Sequence, residues 1–346
     1  MTLLKSIPFT PIKDQAKSQT CWSFSTTSLI ESETLRNVSQ EIDLSEMFTV
    51  RSIYSEKAKN YIRRQGAAQF GPGGLGHHVI RSIADYGAMP ESAYSGLASG
   101  QTNHDHVALD RKLRVYLDSL LKIRPLPKDW MRGFEKILDD HLGQAPKTFY
   151  YKEKEYTARS FAREILKFDA RDYIAITSFT HHPFYKPFIL EVPDNFENGT
   201  YYNLPVEDML KLSARSIEMG YSLMWDADIS NNFFIQQRGY AMQWADSTKG
   251  GSLINPDDDE LKYDQTIRQS LFENLITQDD HLMHIVGLKQ SEKGKRFFMV
   301  KNSWGKVGPE QGLINVSEAY FAINTISLIV PRAALDEALR NRLELN

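Results

Sequence analysis

The feature that most limits what this chain can become is a lone cysteine near its beginning. Cys21 is the only thiol among 346 residues, and it stands directly ahead of a helical pattern in Gln15-Ala16-Lys17-Ser18-Gln19-Thr20-Cys21-Trp22-Ser23-Phe24. The groups able to act with it lie in the last fifth of the chain: His281 in Asp280-His281-Leu282-Met283, and Asn302 in Lys301-Asn302-Ser303-Trp304-Gly305. A thiol, an imidazole and an amide make a nucleophile, its base and the group that orients the base. They do so only in a fold that returns its C-terminal part to its start.

The chemistry expected of such a set is specific. A free thiol is mostly protonated at neutral pH, with a pKa of roughly 8.5; a helix N-terminus and a neighbouring imidazolium lower it by several units. The pattern from Trp22 to Asn37 predicts a helix that puts Cys21 at its first turn, with Thr20 as its cap. His281 would supply the imidazolium and return the proton to a leaving amine. Asn302 would hold the far nitrogen of that ring, and Trp304 would shield the bond from water. Gln15, six residues ahead of the thiol, would donate to an oxyanion together with the backbone N–H of Cys21. Taken singly, each residue has a plain reading: a lone buried cysteine is usually a small core hydrophobe. Their order and spacing together favour the catalytic one.

Other signals are weaker. His77-His78 and His181-His182 are adjacent pairs rather than zinc-ligand spacings, and His104 and His106 fall in a loop-like run. No metal and no cofactor is expected. Gly71-Pro72-Gly73-Gly74-Leu75-Gly76 is a loop with exposed backbone, not a phosphate loop. A net charge of −3 leaves no footprint for nucleic acid, and no apolar run is long enough to span a bilayer. A single cysteine forms no internal disulfide, which favours a reducing, cytoplasmic setting; the alternative is an exported protein whose signal segment is absent from this sequence.

Further along, the pattern predicts helices from Ser45, which would cap the second, at Val79–Tyr86 with Gly87 as stop, and at Val206–Met219. Residues 107–170 read as helical and charged, with a strand near Tyr150. Strands are predicted at Tyr173–Ile176, Phe188–Val192, Gly220–Asp228, Leu282–Leu288, Arg296–Val300 and Ile326–Val330, before a closing helix at Ala333–Leu343.

These motifs resemble the papain superfamily of cysteine peptidases, and within it the bleomycin hydrolase or aminopeptidase C branch. The resemblance rests on Gln15, Cys21 and Trp22, on His281-Leu282-Met283, and on Asn302 to Gly305. It extends to Gly73-Gly74 as the substrate loop and to Tyr86-Gly87-Ala88-Met89-Pro90 after it. It implies an α+β papain-like fold: a helical half over 1–97 carrying the cysteine, a largely helical insertion over 98–215, and an antiparallel β-barrel-like half over 216–346. It implies hydrolysis of peptide substrates through an acyl-thioester, with Trp304, Gly73 and Gly74 lining the substrate site. It also implies ring-shaped homo-oligomers, and a C-terminal carboxylate, here that of Asn346, that meets the free amine of a substrate and makes the enzyme an aminopeptidase. The alternatives are an endopeptidase of the same fold with an open cleft, an acyltransferase using the same triad, or a scaffold that kept the fold. Gln19 departs from the pattern, because relatives usually have glycine two positions before the cysteine.

Overall fold

The structure is a computed structural model and describes residues 1–98, 100–245 and 254–345. Ten α-helices among these residues are α1 (Cys21–Val38), α2 (Glu46–Arg63), α3 (Gly76–Tyr86), α4 (Val107–Leu120), α5 (Trp130–Leu142), α6 (Ala158–Phe161), α7 (Val206–Glu218), α8 (Gln265–Glu273), α9 (Glu318–Asn324) and α10 (Glu337–Arg342). The strands are β1 (Thr2–Ser6), β2 (Phe149–Tyr151), β3 (Lys154–Tyr156), β4 (Tyr173–Thr177), β5 (Pro187–Ile189), β6 (Thr200–Asn203), β7 (Leu223–Ala227), β8 (Phe234–Ile235), β9 (Tyr240–Ala241), β10 (His281–Gln290), β11 (Arg296–Lys301), β12 (Leu313–Ser317) and β13 (Thr325–Pro331).

One mostly antiparallel sheet runs β5-β6-β4-β13-β7-β10-β11-β12-β9-β8, with β1 alongside the far part of β10. Among the described residues, only β4–β6 and β9–β12 pair in parallel. The sheet is open, which corrects the barrel-like expectation. Its end strands are two or three residues long, and β5 begins at Pro187, which has no N–H to offer a closing partner.

Alternation along the central strands gives the sheet two different faces. Met224, Leu282 and Ile329 pack into a core shared with α1–α6. Their neighbours Trp225, Met283 and Leu328 pack into a second core with α7 and the C-terminal segment. Leu109, Leu113 and Leu117 of α4 and Phe134, Leu138 and Leu142 of α5 join the first core at helical spacing. Ile174 and Ile176 of β4 and Met209 and Leu210 of α7 join the second.

The helix α1 lies between β10 and the pair α2–α3, and every residue from Cys21 to Thr34 is buried. Serines and threonines dominate that stretch, and their small size lets the helix be packed on all sides. Glu31, buried among them, accepts from the Leu44 backbone at 2.8 Å, from Thr10, and from Lys13 at 3.4 Å. Helix α1 ends at Val38 and α3 stops at Gly87 (φ 88°), close to the predicted limits, and Ser45 caps α2 through Phe48 N–H. Three local expectations change. Thr20 does not cap α1; its hydroxyl pairs with Ser18 at 2.7 Å, so the first N–H groups of the helix keep no side-chain acceptor. The strand at Phe188 stops at Ile189, because Pro193 follows and the Asn195 side chain takes the Leu190 carbonyl at 2.7 Å. The closing helix begins at Glu337, where Asp336 supplies a cap the pattern at Ala333 lacked.

Candidate active site

Two chain segments meet along the line where the helical core faces the sheet. Cys21, the first residue of α1, is 8% exposed, and the backbone N–H of Leu282 bonds its sulfur. His281, the first residue of β10, immediately precedes that N–H donor. The Nε2 atom of His281 lies 2.8 Å from Oδ1 of Asn302, which follows the end of β11. The Trp304 ring covers the imidazole, with centroids 4.9 Å apart.

The hydrogen-bond chain behind this pair fixes the tautomer. The Gln236 amide nitrogen donates to the Leu313 carbonyl at 3.3 Å and the Val307 carbonyl at 3.5 Å, so its oxygen accepts from Asn302 Nδ2 at 3.0 Å. The Ser303 backbone N–H donates to Asn302 Oδ1 at 2.7 Å, which confirms that this atom is the oxygen. His281 Nε2 therefore carries the hydrogen that Oδ1 accepts, and Nδ1 keeps its lone pair as the basic atom. Nothing in the sequence singles out Gln236, which sits in a single 3₁₀ turn.

Gln15 is tied to the same strip of chain. Its backbone N–H donates to the Ser303 carbonyl at 2.8 Å, and its Oε1 accepts from Ser303 Oγ at 2.8 Å. The side-chain NH₂ is left as a donor. Gly74 lies against Trp22, whose Nε1 donates to the Pro72 carbonyl at 2.9 Å, while Gly73 faces the Asp194 carboxylate. A Cβ on Gly74 would stand 2.9 Å from the Trp22 ring. Buried Lys57 donates to the Gly71 carbonyl at 2.8 Å and to the Gly73 carbonyl, a support the sequence did not reveal. Gln19 has φ 56°, so a glutamine occupies the left-handed region that favours glycine.

The electrostatics differ from the expected low thiol pKa. Burial pushes the Cys21 thiol up to about 12, and Asp279, Asp226 and Asp194 push in the same direction, with the Leu282 N–H opposing. Burial likewise lowers His281, against the Asn302 bond and Asp280. Each group resists charging alone. A proton moving from sulfur to Nδ1 creates two charges that offset each other's desolvation.

The histidine pairs come together with carboxylates, His77 and His78 with Glu197, and His181 and His182 with Glu191. Their tautomers disfavour a cation. The Leu75 N–H donates to His78 Nδ1 at 2.9 Å, and the Gln269 amide nitrogen donates to His181 Nδ1 at 2.9 Å. In both rings the hydrogen therefore stays on the Nε2 that faces the glutamate. Asn346 lies outside the described residues. The segment before it packs on the second core, with Leu343 buried there and Leu345 against it. No helix among the described residues is long and apolar enough to cross a membrane.

A helical half and an open antiparallel half that meet along a cysteine, a histidine and an asparagine define a cysteine-type hydrolase of the papain class. A model of the papain family of cysteine proteases matches residues 4–95, and the model of the Peptidase C1-like family matches residues 67–346. The chain belongs to the Peptidase C1-like family. It is 23% identical to aminopeptidase G of Lactobacillus delbrueckii subsp. lactis over 95% of this chain and 82% of that protein. It is 22% identical to human bleomycin hydrolase over 96% of this chain and 83% of that protein. The fold matches the crystal structure of PepW from Lactobacillus rhamnosis at a TM-score of 0.77, with 18% identity, over 99% of this chain and 84% of that one.

Proposed function

We propose that the protein is an aminopeptidase that removes N-terminal residues from peptides, with Cys21 as nucleophile, His281 as base and acid, and Asn302 as the residue that orients the imidazole. The observation that carries the reading is the 2.8 Å bond from His281 to an asparagine whose own orientation is fixed, beside a thiol at a helix start. His281 Nδ1 takes the thiol proton as sulfur attacks the scissile carbonyl. The Cys21 N–H and the Gln15 amide receive the oxyanion; one such donor is typically worth ~3 kcal/mol. His281 then gives its proton to the leaving amine, and water returns the acyl group as acid.

The exopeptidase reading draws on relatives named as aminopeptidases. The lone thiol supports a reducing, cytoplasmic setting, and residues 1–97, 98–215 and 216–346 are read as one peptidase unit. A homo-oligomer is read from the branch alone; light scattering of the purified chain tests it. Cys21→Ala is expected to abolish hydrolysis of aminoacyl coumarin amides, and normal turnover in that variant would overturn the assignment. Equal hydrolysis of free-amine and N-acetylated substrates by the wild type would leave a peptidase but remove the exopeptidase reading.

A further inference from the structure

Two carboxyls beside the thiol have no part in the chemistry above. Asp226 in β7 is paired in register with Leu282 on one side and Ser327 on the other. It thus shares the face of Leu282, whose N–H bonds the Cys21 sulfur. Asp226 is 0% exposed. Its Oδ2 accepts from Ser327 Oγ at 2.9 Å, while the equally buried Oδ1 receives no donor. The carboxyl within hydrogen-bond reach is that of Asp279, two residues ahead of His281. Two facing carboxyls are reconciled only by a shared proton or by a cation. Burial raises both, Asp226 to about 7, in line with a proton held between them. Among the described residues no ion pair within 4.0 Å reaches either one. The nearby Lys57 is occupied by the Gly71 and Gly73 carbonyls and faces Asp194.

The position suits one part of a substrate. When the carbonyl carbon of an N-terminal residue sits on Cys21, the α-nitrogen is two bonds away, about 2.5 Å from that carbon. The ammonium is therefore held close to the sulfur, and the charges that act on Cys21 there are those of Asp279, Asp226 and Asp194. Asp194 completes the rim against the substrate loop, since a Cβ on Gly73 would stand 2.0 Å from its Oδ2. The chain up to Leu345, by contrast, packs against the other face of the sheet.

We propose that the Asp226–Asp279 pair is the anchor for the free α-ammonium of the substrate. The proposal rests on the aminopeptidase reading and names the groups that enforce it. The ammonium displaces the shared proton to bulk water and leaves two carboxylates around one cation, flanked by Asp194, Asp280 and His281. An N-acylated chain offers no charge there and leaves the pair unsatisfied.

The test compares kcat/KM for alanyl coumarin amide and its N-acetyl form in the full chain. Asp279→Asn, at a partly buried position, is expected to cut the preference for the free amine at least tenfold, mainly through KM. Protection of Cys21 from iodoacetamide by alanine amide is read in parallel and should be lost in the same variant, whether or not it turns over. Asp226→Asn repeats the test on the buried partner; if it fails to fold by circular dichroism, the Asp279→Asn result decides. A wild type with no preference removes the aminopeptidase reading itself. A wild-type preference that survives Asp279→Asn, or that collapses only when Asn346 is deleted, overturns the inference and leaves that reading standing.

Discussion

Lys57 offers the sharpest check on how the proposed substrate loop is held. It is 1% exposed, yet it carries an ammonium that binds the carbonyls of Gly71 and Gly73 and faces the Asp194 carboxylate. Lys57→Met keeps the stem and removes the charge. It strands two carbonyls and removes the cation that faces a partly buried carboxylate, which keeps Gln69 as donor at 3.0 Å. Breaking a buried charged contact from one side costs about 3–5 kcal/mol. Asp194→Asn leaves Lys57 its carbonyls and should cost less, about 1–3 kcal/mol. No Lys57–Asp194 ion pair forms within 4.0 Å, so their attraction falls below the ~4 kcal/mol expected at that distance in a medium of effective dielectric 20. A coupling of about 2 kcal/mol follows. Urea unfolding of the two single variants and the double variant measures it. The double variant should be less destabilised than the two single costs together by that amount. Kinetics on alanyl coumarin amide should show Lys57→Met raising KM more than it lowers kcat, as expected of a loop proposed to position substrate and do no chemistry. Additivity within about 0.5 kcal/mol, or an unchanged KM, would refute the account.

Gln19→Gly relieves a residue at φ 56°; the gain of about 1–2 kcal/mol, less about 0.5–1 kcal/mol for glycine's freedom, should move the urea midpoint upward, and a downward shift would contradict it. Gly74→Ala drives a methyl to 2.9 Å from the Trp22 ring and should cost about 1–3 kcal/mol while raising KM; a silent change would show the loop to be looser than described. With His281→Ala the thiol loses its proton acceptor and keeps the burial and carboxylates that hold it near 12, so the reactive thiolate is scarce at every pH below that value. Iodoacetamide should then label Cys21 at pH 7 at least a hundredfold more slowly than a free cysteine peptide, with a rate still climbing at pH 9. A plateau near neutral pH would show that the imidazole is not what activates the sulfur.

The residues proposed to break the bond were legible because that chemistry tolerates few residue types and a set chain order. Cys21, His281, Asn302 and Gln15 could be read without any knowledge of the fold. Helices α1, α3 and α7 were legible from their periodicity and stops. What supports the site was not, because support depends on neighbours across strands that sequence distance does not encode. Gln236 reaches Asn302 from a turn with no pattern of its own, and Lys57 looks like one charge among many on a helix. Asp226 becomes a partner of Asp279 only through the register of β7 with β10. One usable signal was present: two aspartates stand directly ahead of His281, a density of negative charge beside the proposed base. Among the elements, β1 was missed because all five residues are exposed and give no alternation. Helix α8 is short, but its Asp264 cap was there to be read.

The ten-residue strand β10 holds the imidazole at its first position and is bordered on both edges, by β11 on one side and by β7 and then β1 on the other. A slip of a single residue would turn Leu282 into one core and Met283 into the other, reversing every side chain along it. The placement of the ring is therefore all-or-none rather than graded. On warming, such an enzyme should not soften into partial activity; its turnover and its sheet should fail at the same temperature.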